Sequence, residues 1–148
     1  MIIVRTARPG DAAEWERMRQ TLWPLPAGEN AREIAAFFDG DRRDPAEVFL
    51  ALDEAGTPIG FAETTIRSHA EGCEPGRIAY LEAWFVDEAC RGRGVGAALM
   101  RAVEDWGRAQ GCRELGSDTE TDNLASTAAH QALGFDVVIE IRCFRKAL

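Results

Sequence analysis

The sequence contains no run of about 18 consecutive apolar residues, so nothing in it reads as a membrane-spanning helix. Its opening, Met1-Ile2-Ile3-Val4-Arg5, meets charge too soon for the core of a signal peptide. These absences lead us to expect a cytoplasmic protein with no membrane partner. Positive charge is also scarce: 17 Lys and Arg, of which only Lys146 is Lys, stand against 25 Asp and Glu, for a net charge of −8. Such a chain repels phosphate backbones and favours cationic partners, so nucleic acid is not an expected ligand. The four cysteines, Cys73, Cys90, Cys112 and Cys143, form no C-x-x-C pair, and no histidine lies at a metal-ligand spacing from them. A zinc site or disulfide framework is therefore not expected, and no metal is assigned. No internal repeat or linker-like stretch divides the chain, and its 148 residues are expected to form a single domain, 1–148.

With 46% hydrophobic residues there is enough apolar material for a core, and its spacing predicts the elements. Ile2 to Arg5 is a short β-branched run, and Pro9-Gly10-Asp11 supplies a turn and a helix N-cap. Trp15, Met18, Arg19 and Leu22 recur at helical spacing from Ala12 until Pro24 and Pro26 stop the helix near Trp23. A second helix is predicted from Glu29 to Phe38, closed by Asp39-Gly40, then a hairpin of Val48 to Leu52 and Ile59 to Ile66. After the polar loop of residues 68–76, the long apolar run Ile78 to Val86 predicts a central strand. Val95, Leu99, Ala102, Val103 and Trp106 mark an amphipathic helix that Gly111 ends. A short strand near Glu114 to Ser117, a helix from about Asn123 to Leu133 and a terminal strand from Phe135 to about Phe144 complete the pattern. The order β-α-α-β-β-β-α-β-α-β is that of a mixed α/β fold.

Arg91-Gly92-Arg93-Gly94-Val95-Gly96 sits between the central strand and a helix, where backbone N–H groups and the helix dipole attract an anion. A phosphate or pyrophosphate suits it. Gly94 and Gly96 would let the backbone approach closely, and Arg91 and Arg93 reverse the acidic character of the chain locally. The segment is not a Rossmann fingerprint, since the third glycine of G-x-G-x-x-G is missing, nor a P-loop, since no Gly-Lys-Ser/Thr follows.

Arg91-x-x-Gly94-x-Gly96 resembles the pyrophosphate loop of the GCN5-related N-acetyltransferases (GNAT), as do Asp122-Asn123-x-x-Ser126 and Leu133-Gly134-Phe135. The resemblance runs over essentially the whole chain. It implies the GNAT fold, a mixed twisted sheet whose fourth and fifth strands splay apart, and the use of acetyl-CoA. It also implies that Trp84, Phe85 and Val86 offer backbone groups to the pantetheine arm, that Gly92 and Val95 belong to the phosphate loop, and that Asn123 faces the pantetheine or sulfur end.

Leu22-Trp23, Glu63-x-x-Ile66-Arg67, Tyr80-Leu81-Glu82, Glu104-x-Trp106, Ser117-Asp118 and His130-x-x-Leu133-Gly134-Phe135 are similar to segments of the aminoglycoside 6'-N-acetyltransferases. This implies an acceptor site lined by Trp23, His69, Glu82 and Asp118, a polycationic amine as substrate, and a homodimer that often exchanges its last strand. The apolar run Val137-Val138-Ile139-x-Ile141 suits pairing with another chain. Charge agrees, because carboxylates bind a polyamine sugar by charge-assisted hydrogen bonds. Alternation would put Glu82 and Trp84 on one face of the central strand unless a bulge intervenes.

Each of these residues also has a plainer reading. Glu82 would pair with a buried Arg, Asp118 would satisfy loop N–H groups, Asp122 would cap the last helix and Trp23 would pack in the core. His130 is either a helix-surface histidine or a donor near the departing thiolate. Asp118 is the expected general base and Glu82 the expected ammonium anchor. A Cys90 acyl-enzyme is the rival chemistry, but no His or Asp pairs with Cys90 in sequence. A transferase for another small amine, polyamine or protein N-terminus would share the loop but not the acceptor set, and a non-catalytic acetyl-CoA-binding regulator would share only cofactor binding.

Overall fold

The structure is a computed structural model that describes residues 1–148. Strands β1 (Ile3–Thr6), β2 (Glu47–Leu52), β3 (Pro58–Arg67) and β4 (Ile78–Val86) lie side by side in chain order, each antiparallel to the next. The short strand β5 (Leu115–Ser117) joins β4 in parallel, after the crossover helix α3 (Val95–Ala109). Helices α1 (Ala12–Leu22) and α2 (Glu29–Phe38) precede β2, and α4 (Leu124–Ala132) follows β5. These elements match the predicted order up to α4.

Period-two alternation on β2 explains the layering. Val48 and Leu50 face α1 and α2, packing with Trp15, Met18, Ile34 and Phe37, while Phe49 and Ala51 face α3, packing with Val95, Leu99 and Val103. Both faces are covered, so β2 is buried along nearly its whole length. At about 25 cal/mol per Å² of apolar surface, each large side chain so buried contributes about 1.5–3 kcal/mol. Asp11 stands at the N-cap of α1 but makes no side-chain bond to that helix. Its carboxylate instead accepts two bonds from Arg5, at 2.7 and 2.9 Å, and one from the Arg8 N–H at 2.7 Å, because that bidentate partner lies within reach on β1.

Two predictions are corrected. First, β4 carries a bulge: Glu63 pairs with Ala83 and Thr64 with Leu81, so Glu82 has no partner on β3. The extra residue flips the alternation, and Glu82 and Trp84 point to opposite faces of the sheet. Leu81 and Trp84 accordingly pack with α3, and Ala83 and Phe85 with α1 and α2. Second, residues after Gly134 form no strand. A strand requires a neighbouring edge to bond to, and this segment pairs with neither outer strand of the sheet, β1 or β5. Instead it passes over the 68–76 loop, where Val138 packs on Gly72, and leaves Val137, Val138, Ile139 and Ile141 more than half exposed.

Candidate active site

Beyond the Leu81–Ser117 pair β5 stops, while β4 continues to Val86. The opening between them is a cleft of about 710 Å³, with the glycine loop at one end and Trp23, Glu82 and Asp118 at the other. Asp87 N–H bonds the Ile59 carbonyl on β3 at 2.9 Å, so the two-residue alternation of the ladder turns the N–H and C=O of Val86 away from β3. The Val86 carbonyl is met there by Arg91 Nε at 3.0 Å, which lays the Arg91 side chain along the cleft. Phe85 does not offer the backbone groups expected of it, since the same alternation turns its N–H and C=O into the β3 ladder, and its ring is buried against Phe61 at 5.9 Å.

Gly92 and Gly94 have φ of +74° and +82°, a region that costs an L-residue roughly 1–2 kcal/mol. Nothing lies within 4 Å of a Cβ built on either, so the loop is open at both positions. Gly94 is the N-cap of α3, whose first N–H groups, with no acidic residue in the first turn, present a positive end. Gly96 has a different reason to be glycine. A Cβ there would sit 3.0 Å from the Trp84 ring, whose Nε1 donates to the Gly96 carbonyl at 3.2 Å. Val95 is buried in the core and lines the cleft floor. Arg93 points away, into a separate hollow shared with Met1, Asp53 and Glu54, so it does not line the cleft as expected. Asn123 caps α4, its Oδ1 accepting the Ser126 N–H at 3.1 Å, and turns toward the cleft. That role was expected of Asp122.

At the acid end, the bulged Glu82 is anchored rather than free. Thr65 Oγ1 donates to it at 2.5 Å, and Arg67 donates twice, at 3.0 and 2.9 Å. The Arg67 guanidinium lies 3.5 Å from the centre of the Tyr80 ring, and the Tyr80 hydroxyl donates to Asp118 Oδ2. Burial, reinforced by that carboxylate, holds the Tyr80 hydroxyl far above the ordinary phenol range. Burial opposes the charge of Arg67, but the Glu82 carboxylate outweighs it and keeps the guanidinium above its usual value. Glu82 thus combines both readings open in the sequence: it pairs with an Arg and still lines the cleft.

Trp23 closes the acid end of the cleft from the α1–α2 connection. It is held from below by a buried polar network. Glu63 accepts from Trp15 Nε1 at 2.9 Å and Arg19 Nε at 2.8 Å, Arg19 reaches Asn30 Oδ1 at 2.9 Å, and Asn30 Nδ2 donates to the Trp23 carbonyl at 3.3 Å. Arg19 also sits 5.3 Å from the centre of the Trp23 ring. His69 is an outright miss: it is exposed in the loop after β3 and lines no part of the cleft. The flanking Ala70 takes the buried position against Ile78 and Tyr80 that would have turned its neighbour inward.

Between the two ends, Ser117 on β5 and His130 on α4 meet at 2.8 Å from Oγ to Nε2. The other ring nitrogen, Nδ1, lies 2.8 Å from the Ser126 carbonyl, and the ring packs edge-on against Trp84 and Phe135.

A model of the acetyltransferase (GNAT) family matches residues 14–135. The chain belongs to that family. It is 46% identical over 147 residues to the aminoglycoside N(6')-acetyltransferase type 1 of Klebsiella aerogenes, covering 99% of this chain and 97% of that one. It is 38% identical over 147 residues to the enzyme of the same name from Stenotrophomonas maltophilia, covering 98% and 93%. Among solved structures, AAC(6')-Iy in complex with the bisubstrate analog CoA-S-monomethyl-acetylneamine superposes with a TM-score of 0.91 at 33% identity, covering 100% of this chain and 99% of that one. AAC(6')-Ih from Acinetobacter baumannii superposes at 0.90 with 28% identity, covering 100% and 99%.

In this GNAT chain, sequence reasoning had named Trp23, Glu82, Asp118, Trp84, Val86, Arg91, Gly92, Gly94, Val95, Gly96 and Asn123, and the fold brings all of them to one cleft. It had not paired Arg67 with Glu82, Tyr80 with Asp118, or Ser117 with His130. Alternation puts Arg67 on the same face of β3 as Thr65, but only the bulge brings Glu82 to that face, so the pair has no local signal. The Ser117–His130 contact joins a strand to a helix and has no local signal.

Proposed function

We propose that this GNAT chain transfers the acetyl group of acetyl-CoA to the 6'-amine of aminoglycosides, in a ternary complex and without an acyl-enzyme, and so confers resistance to those antibiotics. The observation that carries the proposal is the division of the cleft: an open cationic turn at the head of α3, and Trp23, Glu82 and Asp118 at the other end. The whole-length likeness to enzymes named for that reaction supports it.

Acetyl-CoA fits this geometry. The N–H groups from Gly92 to Gly96, with Arg91 beside them, would hold the pyrophosphate, and the backbone of Trp84 and Val86 and the amide of Asn123 would hold the pantetheine arm. When bound, acetyl-CoA supplies the activated thioester. The Val86 N–H would polarise its carbonyl, as an oxyanion site does, and the fixed geometry of the two substrates would lower the barrier through proximity.

An alkylammonium has a reference pKa near 10 and must lose a proton before it attacks. Carboxylates that stabilise the ammonium oppose this loss, at about 1.4 kcal/mol for each unit by which they raise its pKa. Glu82, already shared with Arg67 and Thr65, is the weaker trap and serves as the anchor of the amine. Asp118 has one oxygen on Tyr80 and the other without a partner in the chain, and serves as the base that receives the proton, directly or through water. Trp23 covers a sugar face.

The chain would act as one domain, 1–148, in the cytoplasm, and as a homodimer. The exposed Val137, Val138, Ile139 and Ile141 beside an unpaired backbone support association with a second copy through this segment. Light scattering should give twice the chain mass, and a monomer would end the dimer proposal.

The deciding assay follows thiol release from acetyl-CoA with tobramycin, spermidine and a peptide N-terminus as acceptors. Tobramycin should be turned over fastest. Preference for spermidine or the peptide would reassign the acceptor, and cofactor binding without thiol release would leave a regulator.

A further inference from the structure

We propose that Ser117 and His130 form a proton relay that carries the proton lost by the amine to the departing sulfur; this rests on the acetyl-transfer reading above. The relay is built from one strand, one helix and one backbone carbonyl. The Ser126 carbonyl can only accept, and at 2.8 Å it lies nearer Nδ1 than the Ser126 hydroxyl does at 3.4 Å, so it places a proton on that nitrogen. In the neutral imidazole the remaining nitrogen, Nε2, is then a bare acceptor, and the hydroxyl 2.8 Å away is its donor. Nucleophile-like hydroxyl, base and orienting group stand in one line, the arrangement that activates a hydroxyl in unrelated enzymes. The ring has little freedom to leave it, being packed edge-on against Trp84 at 5.2 Å and Phe135 at 5.1 Å.

Position gives this pair its role. Ser117 is the last residue of β5, where the sheet opens, and is followed directly by Asp118 of the acceptor end. His130 touches Trp84, which packs on Gly96 at the loop end. The pair therefore lines the middle of the cleft, between the end that suits the amine and the end that suits the diphosphate. The only tyrosine, Tyr80, donates its proton to Asp118, so its hydroxyl is committed elsewhere.

The step balances without any further reactant. As the amine nitrogen bonds to the acetyl carbon, that nitrogen becomes cationic. It passes a proton to Ser117 Oγ, which hands its own proton to His130 Nε2. As the carbon–sulfur bond breaks, the electron pair stays on sulfur, and the imidazolium returns the proton through the same hydroxyl. The products are the amide and free thiol, and Ser117 and His130 end as they began. Asp118 prepares the free amine, and the Ser117–His130 pair handles the second proton. Ser117 is the catalytic residue here and His130 a positioning residue that acts through it.

The test combines a binding-independent readout with kinetics. The chain has two histidines, so ¹⁵N spectra of the full-length protein, with His69→Ala to assign the pair, should show His130 as the Nδ1–H tautomer in the free state. Ser117→Ala should lower kcat by about 100-fold, with acceptor KM and calorimetric CoA affinity held within about twofold. Ser117→Thr, which keeps the hydroxyl, should recover most of the loss, and His130→Gln with Ser117→Ala should be no slower than Ser117→Ala alone. An Nε2–H tautomer, an unaltered kcat in Ser117→Ala, or a loss residing wholly in KM would overturn the relay. An acetyl adduct on Ser117 in the mass spectrum would overturn it too, replacing the relay by a covalent route. A wild-type protein that releases no thiol with any amine would sink the acetyl-transfer reading itself, an outcome distinct from wild-type transfer that survives Ser117→Ala.

Discussion

The Tyr80 hydroxyl donates to Asp118 Oδ2 at 2.5 Å and so ties the first part of β4 to the loop after β5, next to the point where the two strands part. One carboxylate oxygen is thereby fixed, and the other is left for the cleft. The same tyrosine ring carries the Arg67 guanidinium, which grips Glu82, so a single aromatic side chain sets the spacing of both acids.

Asp118→Asn keeps the Tyr80 bond but removes the proton acceptor. Turnover should fall by about 100-fold or more, with CoA affinity by calorimetry nearly unchanged. Tyr80→Phe keeps the acid but frees it to rotate, and should cost less, about tenfold. Equal turnover in Asp118→Asn and wild type would remove Asp118 from the chemistry.

Glu82→Gln retains the Thr65 bond and leaves Arg67 without its ionic partner. Because Arg67 is partly exposed, the stability lost should be modest, about 1 kcal/mol in urea unfolding. The acceptor KM should rise more than kcat falls. A change in stability with no change in KM would make Glu82 purely structural.

Two glycines of the loop should fail differently. Gly94→Ala places a Cβ on a backbone with φ of +82°, where there is open space but conformational strain of roughly 1–2 kcal/mol. Its melting temperature should drop and CoA binding weaken. Gly96→Ala adds no such strain but pushes on Trp84, so CoA affinity should fall and the Trp84 bond to the Gly96 carbonyl should be lost. Unchanged CoA affinity in both would dissociate the loop from cofactor binding.

The Arg5–Asp11 pair predicts a pH dependence of stability. The bidentate Arg5 hydrogen bonds, aided by the Arg8 N–H, hold the Asp11 carboxyl below its ordinary value against the opposing effect of partial burial. Since the folded value lies below the unfolded one, the pair's contribution is fully present above about pH 4 and is lost as pH falls through the folded value. Asp11→Asn should therefore be less stable than wild type by about 1 kcal/mol at pH 7, and the gap should close toward pH 2. A gap that is the same at both pH values would assign the effect to packing.

The sequence by itself determined the elements up to α4 and the loop that opens α3, because these follow from periods of two and 3.6 and from the backbone freedom of glycine, all local properties. It also determined the charge logic of the site: a basic turn in an acidic chain, with the carboxylates Glu82 before it and Asp118 after it. Only the tertiary structure decided how those carboxylates are held. The bulge at Glu82 is a property of the pairing of β4 with β3 and of neither strand alone, and it alone sends Glu82 toward Arg67 and Trp84 toward α3. Ser117 meets His130 because a strand ends where a helix crosses it. The apolar terminal segment reads as a strand but forms none, since a strand is completed by the edge beside it and this segment pairs with neither outer strand of the sheet.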